Sequence, residues 1–297
     1  MRITNSIIQQ SSLSNVQKNL RELYRAQEEV TSGKRIRIAS DDPIGASTSM
    51  ATRSSIRALE QYRRGVQTAT ARADREETVL DQLTNVLTRA KELAVAYGSD
   101  TVSPDHRRIA AIELDALLKQ AVSLGNTRFK EGYLFAGTGP NVAPYVTVST
   151  GGNIDFTSTS PTGTLQIEVS AIHTVPANHN GTEVFEDTGI LTSLRDMAMA
   201  LRSGDREAVI TAATGVDGAF DQIQHLLGEV GARVSSLQVT SANLDALNAN
   251  LQVLKSDVED VEIEKAITEL MGRQTSYQAA LMSTSRILGM SLADYLR

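Results

Sequence analysis

The side chains best suited to proton transfer or metal ligation are four histidines, His106, His173, His179 and His225. No two share the i, i+4 spacing, with a carboxylate between, that places a zinc pair on one helix face. They read as exposed or structural residues. The one stretch offering several titratable groups to a pocket carries Asp155, Glu168, His173, His179, Glu183 and Asp187, a set with no recognisable spacing. Gly137-Thr138-Gly139 lacks both the third glycine and the following Lys-Ser/Thr of a phosphate cradle. The pair Asp41/Asp42 is explained by helix capping and Glu28/Glu29 by a solvated helix face. Cysteine is absent, which removes disulfides, thiolate metal sites and thiol nucleophiles. The expectation is a protein that is not an enzyme, with no catalytic residue, no cofactor and no metal.

Lys and Arg number 29 against 35 Asp and Glu over 297 residues, a net charge of -6, which argues against nucleic acid as the main partner. Trp is absent and aromatic residues make up only 4%, so the chain suits slender helices packed through Ala, Leu and Val better than a thick globular core. No window approaches the roughly 20 apolar residues of a membrane span. The opening Met1-Arg2-Ile3-Thr4-Asn5-Ser6-Ile7-Ile8 is too short and too interrupted for a secretory signal, so export would need another route. Asn180-Gly181-Thr182 matches a glycosylation acceptor, a match of little weight in that setting.

The residues that do recur with a period are apolar. Leu13, Val16, Leu20, Leu23 and Val30 follow a 3-4 spacing with Gln27 as the polar seam position, a coiled-coil stripe that should stop at Thr31-Ser32-Gly33. A linker leads to Ser40-Asp41-Asp42-Pro43, which sets a carboxylate at the N-cap and proline at the first helical position. The helix that follows carries Leu59, Tyr62, Val66, Ala69, Ala73, Leu80, Leu83, Leu87, Ala90, Ala94 and Tyr97 in strict 3-4 register, broken chemically by Glu76. From Ile44 to Tyr97 it would measure roughly 80 Å at 1.5 Å per residue. Ser103-Pro104-Asp105 starts another helix with Ile109, Ile112, Leu117, Ala121 and Leu124 on one face, ending near Gly125-Asn126.

After Gly132-Tyr133 the texture turns to Gly, Thr, Ser and Asn, and Tyr145 to Val148, Asn153 to Phe156 and Leu165 to Val169 alternate as short antiparallel strands. Helix returns at Ile190, stops at Ser203-Gly204 and resumes from Asp205. Leu251, Leu254, Val258 and Val261 belong to its long stripe, which shifts phase and continues through Ile263, Ile267, Leu270, Tyr277, Leu281 and Leu288 with Gln274 as a polar position. The predicted fold is mainly α: a long antiparallel helical bundle or coiled coil formed by the N- and C-terminal parts, with a small β-rich insert. Residues 1–40 and 256–297 would be terminal coiled coil, residues 41–131 and 188–255 a helical rod, and residues 132–187 a β-rich outer domain. Seven basic residues stand against three acidic ones in the first forty, while five basic face seven acidic from Lys255 onward, so the two ends are complementary in charge. Each end alone buries too little to offset its ordering entropy, which makes loose ends that fold on assembly the expectation.

The sequence resembles the bacterial flagellin family, most closely its hook-associated branch. The likeness rests on Met1-Arg2-Ile3-Thr4, on Val30-Thr31-Ser32-Gly33-Lys34-Arg35-Ile36 leading into Ser40-Asp41-Asp42-Pro43-Ile44-Gly45-Ala46, on Gly132-Tyr133-Leu134-Phe135-Ala136-Gly137 and on Leu292-Ala293-Asp294-Tyr295-Leu296. The resemblance implies a structural adapter at the hook-filament junction of the extracellular flagellum, with a minor filament flagellin as the alternative. It implies partners: another hook-associated protein on the hook side, flagellin on the filament side, further copies in a homo-oligomeric ring, and an export chaperone of the flagellar type III apparatus. Subunit assembly would use Leu13, Val16, Leu20, Leu23, Val30, Leu251, Leu254, Val258 and Val261. The chaperone would take Ile263, Ile267, Leu270, Tyr277, Leu281 and Leu288 as a helix in an apolar groove. Leu87 to Val95 is similar to the flagellin segment recognised by a Toll-like receptor, with Arg89, Glu92 and Leu93 matching and Lys91 and Ala96 departing. A bundle helix with an exposed Arg-Glu face explains it as well.

Overall fold

The computed structural model describes residues 2–99, 102–139, 141–150, 153–159 and 162–295. The chain divides into two compact units, Met1–Ala58 with Leu247–Arg297, and Leu59–Ala246. Two helices have residues in both: α2, Pro43–Tyr97, and α5, Arg206–Glu259.

Within the unit formed by residues 59–246, α2 and α5 are antiparallel. Arg63 meets Asp245, Gln224 donates to the Thr84 hydroxyl, and Lys91 lies 2.7 Å from Asp217, so numbers rise on one helix as they fall on the other. Every position of the α2 stripe from Val66 to Ala94 is buried, packed with Val216, Ile223, Val230 and Leu237 of α5. Helix α3, Pro104–Gly125, begins where the Ser103 hydroxyl accepts from the His106 N–H. Its packed face is the expected one only in part: Ala121 is buried and Leu117 and Leu124 pack against the core, but the two isoleucines do not. Ile109 and Ile112 are each 61% exposed, while Ala110, Ala111, Leu114, Leu118, Ala121 and Val122 are buried against α4, Ile190–Ser203. The buried set keeps the 3-4 period without interruption, whereas the step from Ile112 to Leu117 leaves it. Gly204, at φ 72°, closes α4 by donating its N–H to the Ala200 carbonyl.

The insert consists of three separate antiparallel hairpins: β1, Arg128–Phe129, with β2, Gly132–Tyr133; β3, Tyr145–Thr150, with β4, Asn153–Ser158; and β5, Gln166–Ser170, with β6, His173–Pro176. Strand β6 and a single π-helical turn at Thr182–Glu186 were not expected from the alternation. The hairpins share the helical core. Phe135, Tyr145 and Phe185 form an aromatic group, with ring centroids 5.4 and 5.2 Å from Phe185, inside the cluster that holds Leu114, Leu118 and Leu191. Gly65 on α2 lets β5 come close, because a Cβ there would collide with the Glu168 carbonyl oxygen. Ile167, Val169 and Val175 pack beside it with Val66, Ala69, Leu237 and Leu244.

In the other unit, α1, Arg2–Ser32, packs on α6, Ile263–Tyr295. They are antiparallel, since the Gly33 carbonyl accepts from the Val261 N–H while Glu22 lies 2.5 Å from Arg273. Gly33, at φ 66°, ends α1. The apolar stripe that continues in sequence from α5 into α6 is interrupted structurally at Asp260, Val261 and Glu262, where Lys34 and Asp260 form an isolated antiparallel bridge.

Candidate functional site

The segment Gly33–Asp42 is the point from which the paired chain ends are held. Its backbone joins the α5–α6 break through Arg35 N–H to the Glu259 carbonyl at 2.7 Å and Val261 N–H to the Gly33 carbonyl at 3.0 Å. The Arg35 guanidinium adds a hydrogen bond to the Val258 carbonyl. At its far end the Asp42 carboxylate accepts from the Gly45 N–H at 2.9 Å, with Pro43 as the first residue of α2. That backbone bond, with Arg35 nearby, holds the Asp42 carboxyl below its usual range. Asp41 accepts from Arg25 and from the backbone N–H groups of Arg37 and Ile38. Ser40 is exposed.

Glu259 occupies the centre of this arrangement, its side chain 1% exposed. Arg53 donates to both carboxylate oxygens, at 2.6 and 2.7 Å, Lys34 donates at 3.3 Å and the Ser49 hydroxyl completes the set. Hydrogen bonding from Arg53, joined by Ser49 and Lys34 and opposed by burial, holds the carboxyl down at about 2. Asp260 is held down likewise, first by Lys34 and then by Ser256. Four charged groups from three parts of the sequence thereby satisfy one another.

The residues expected to mediate assembly are graded in exposure along the helices. Val16, Leu20, Leu23 and Val30 on α1 are half-buried, whereas Leu13 is 56% exposed. On α5, Leu251 and Val258 are half-buried and Leu254 is exposed, while Val261 lies in the break and is half-buried. On α6, Ile263, Ile267 and Leu281 are exposed, and Leu270 and Tyr277 are half-buried. Leu288 falls within α6, but its side chain lies outside those described. Among the described side chains of α1 and α6, Ala26 and Ala266 are buried, and an apolar margin is left uncovered.

The groups considered for catalysis do not converge on a cleft. His106, His173 and His225 are exposed. His179 does touch two carboxylates, Glu76 at 2.6 Å and Glu229 at 3.1 Å, but in a closed cluster. Glu76 is fully buried. One of its oxygens takes the backbone N–H and ring of His179 and the other takes Arg233. The α2 seam break is therefore a buried anchor for the segment that carries His179, whereas Gln27 and Gln274 are exposed. Asp155 pairs with Arg195, and Glu183 with the Asn180 N–H. Asn180 is buried, with its Oδ1 accepting from the Glu183 N–H, so its amide is not presented as a glycan acceptor. A groove of about 630 Å³ between α4 and α5, lined by Ser193, Met199, Thr211 and Gly215, offers one titratable side chain, Asp196, already bonded to Arg195. Among the described residues no group of three or more His, Asp or Glu is placed to hold a metal ion. Arg89 pairs with Glu92 and Glu113, and Leu93 is buried, so that segment of α2 serves the bundle.

Helical chain ends joined in one unit, and a second unit of long helices carrying small hairpins, define a subunit of the flagellin type. Residues 3–139 match the bacterial flagellin N-terminal helical region and residues 213–296 the bacterial flagellin C-terminal helical region; the chain belongs to the bacterial flagellin family. Within it, flagellar hook-associated protein 3 of Salmonella typhimurium is 27% identical over an alignment covering 98% of each chain. Flagellar hook-associated protein 3 of Escherichia coli is 24% identical with the same coverage, and flagellin of Bacillus subtilis is 26% identical over 94% of each. Solved structures share the fold, two among them as follows. Flagellar hook-associated protein 3 of Legionella pneumophila superposes with a TM-score of 0.61 at 16% identity, covering 70% of this chain and 98% of that one. FlgL of Bacillus cereus superposes with a TM-score of 0.57 at 22% identity, covering 69% and 99%. The protein is a structural component of the bacterial flagellum. No helix among the described residues is long and apolar enough to cross a membrane.

Proposed function

We propose that this protein is the adapter at the hook-filament junction, one face meeting another hook-associated protein and the other meeting flagellin, in a homo-oligomeric ring outside the cell. The observation that carries the reading is the alignment with hook-associated protein 3 of Salmonella typhimurium across 98% of both chains, ends and insert together. The apolar margin at Leu13, Leu254, Ile263, Ile267 and Leu281 supports it, because uncovered aliphatic groups along paired helices suit burial against further copies.

In this reading Leu13, Val16, Leu20, Leu23, Val30, Leu251, Leu254, Val258 and Val261 form the assembly seam, and the segment at Ser40-Asp41-Asp42-Pro43 fixes where α2 starts beside it. Export runs through the flagellar type III apparatus, and before it a chaperone holds α6 by Ile263, Ile267, Leu270, Tyr277, Leu281 and Leu288. Deletion of the gene in the native host tests the junction role. Filament protein released into the medium beside intact hooks is the expected outcome, and motile cells with normal filaments would overturn the proposal.

The second reading, a minor filament flagellin, draws on the 26% identity to Bacillus subtilis flagellin over 94% of each chain. Seeding the purified protein with filament fragments separates the two, since a flagellin elongates the seeds and a junction subunit does not.

A further inference from the structure

The cluster around His179 has a property that a passive anchor does not need. Its Nδ1 lies 2.6 Å from Oε1 of Glu76 on α2, and its Nε2 lies 3.1 Å from Oε2 of Glu229 on α5. An ionised carboxylate only accepts hydrogen bonds, so satisfying both contacts requires a proton on each ring nitrogen. The same Nε2, however, lies 3.2 Å from a guanidinium nitrogen of Arg233, which only donates. The ring nitrogen thus has two competing partners of opposite kind, and its protonation decides between them. A further charge nearby is Arg72 on α2, which donates to the Asn178 side chain next to His179.

We propose that His179 is a proton-operated clasp: as the imidazolium it ties the segment Ala177–Asn180 to α2 through Glu76 and to α5 through Glu229. On losing the Nε2 proton it accepts from Arg233 instead and releases Glu229. The two states differ by one proton, taken up from or given to water, with no other co-reactant. Glu229 is 60% exposed at its side chain and can turn outward, whereas Glu76 keeps its bonds to Arg233, to the His179 N–H and to Nδ1 in both states.

Because Ala177 follows directly on β6 and donates its N–H to the Leu165 carbonyl, the clasp stands at the base of the β5–β6 hairpin. Loss of the Glu229 arm loosens that base. Burial alone would push the imidazole down, but the hydrogen bond and charge of Glu76, with a smaller contribution from Glu229, outweigh burial and Arg233 and raise it above its ordinary 6.5. The stabilisation is therefore complete below the unfolded-chain value and is lost as pH rises through the elevated one.

The test uses the full-length protein labelled at its histidines and titrated by NMR between pH 5 and about 10, with amide exchange followed at residues 173–180. His179 is expected to titrate above the ordinary imidazole value of 6.5. Protection of the hairpin base should fall through the same midpoint, by about tenfold for each unit of elevation. Glu229→Gln, an exposed substitution compatible with folding, should lower the His179 midpoint and flatten the alkaline loss of protection. His179→Gln should abolish that loss. A His179 that titrates at or below 6.5, or protection with the same pH dependence in Glu229→Gln, would overturn the proposal.

Discussion

Arg53 and Glu259, 206 positions apart in the chain, meet in a two-pronged pair: the Nε and Nη2 of the guanidinium each donate to one oxygen of a carboxylate that is almost wholly buried. With Lys34 and Ser49 they join α2, the connecting segment and the end of α5 at one point. Flat, double donation is a geometry that arginine provides and lysine does not.

Removing Arg53 should therefore weaken the unit of the paired ends. Arg53→Ala leaves Lys34 and Ser49 to satisfy a buried carboxylate, with an expected cost of about 2 to 3 kcal/mol. Arg53→Lys should recover only part of it. Urea unfolding followed by helical circular dichroism measures both, and a loss below about 0.5 kcal/mol for the alanine variant would show the pair to be dispensable.

Acid should act through the same group. Glu259 is depressed from 4.5 to about 2 in the folded chain, so its stabilisation is complete above pH 4.5 and disappears as pH falls toward 2. Glu259→Gln is expected to be less stable than the parent at pH 7 and to lose less on acidification across that window. Parallel acid limbs for the two proteins would contradict the assignment.

Two helical glycines should respond in opposite directions to the same substitution. Gly65→Ala drives a methyl group into the Glu168 carbonyl and is expected to cost about 1 to 3 kcal/mol, displacing β5. Gly218→Ala on α5 meets nothing within 4 Å and should stabilise by about 0.5 to 1 kcal/mol through helix propensity. Thermal unfolding of the two single variants provides the comparison, and equal shifts would remove the argument from close approach.

The part of the fold that could be read in advance is the part encoded locally. Gly33 at the end of α1, Asp42-Pro43 at the start of α2, Ser103-Pro104 before α3 and Gly204 after α4 are boundaries whose residues cap their own helices. Long-range partners were not legible. Glu76 looks like a flaw in an apolar register until His179 and Arg233, 103 and 157 positions away, are brought to it. Glu259 is one acid among seven near the C-terminus, and nothing in its neighbours marks it as buried. On α3 the isoleucines suggested the packed face, but alanines form much of it, because small side chains allow close helix contact. Strand β6 is four residues ending in proline, too short for alternation to identify.

Under the proposed role, the exposed members of the apolar margin should matter for assembly and little for the isolated chain. Leu13→Ser and Leu254→Ser are expected to alter unfolding free energy by no more than about 0.5 kcal/mol each. Each should weaken association with its flagellar neighbours by about tenfold, the value of one aliphatic side chain buried. Co-sedimentation with filament fragments and hook-side protein gives the readout. Unchanged association in the double variant would place the seam elsewhere.

Lys34 lies 225 positions from the Glu259 it donates to, so the unit of the chain ends has no precursor that either half could build alone. During synthesis from the amino end, α1 and the segment after it must wait, without their mates, until the end of α5 and α6 have been made. Loss of either α1 or α6 therefore strands the other, and the unit closes only where both segments are present.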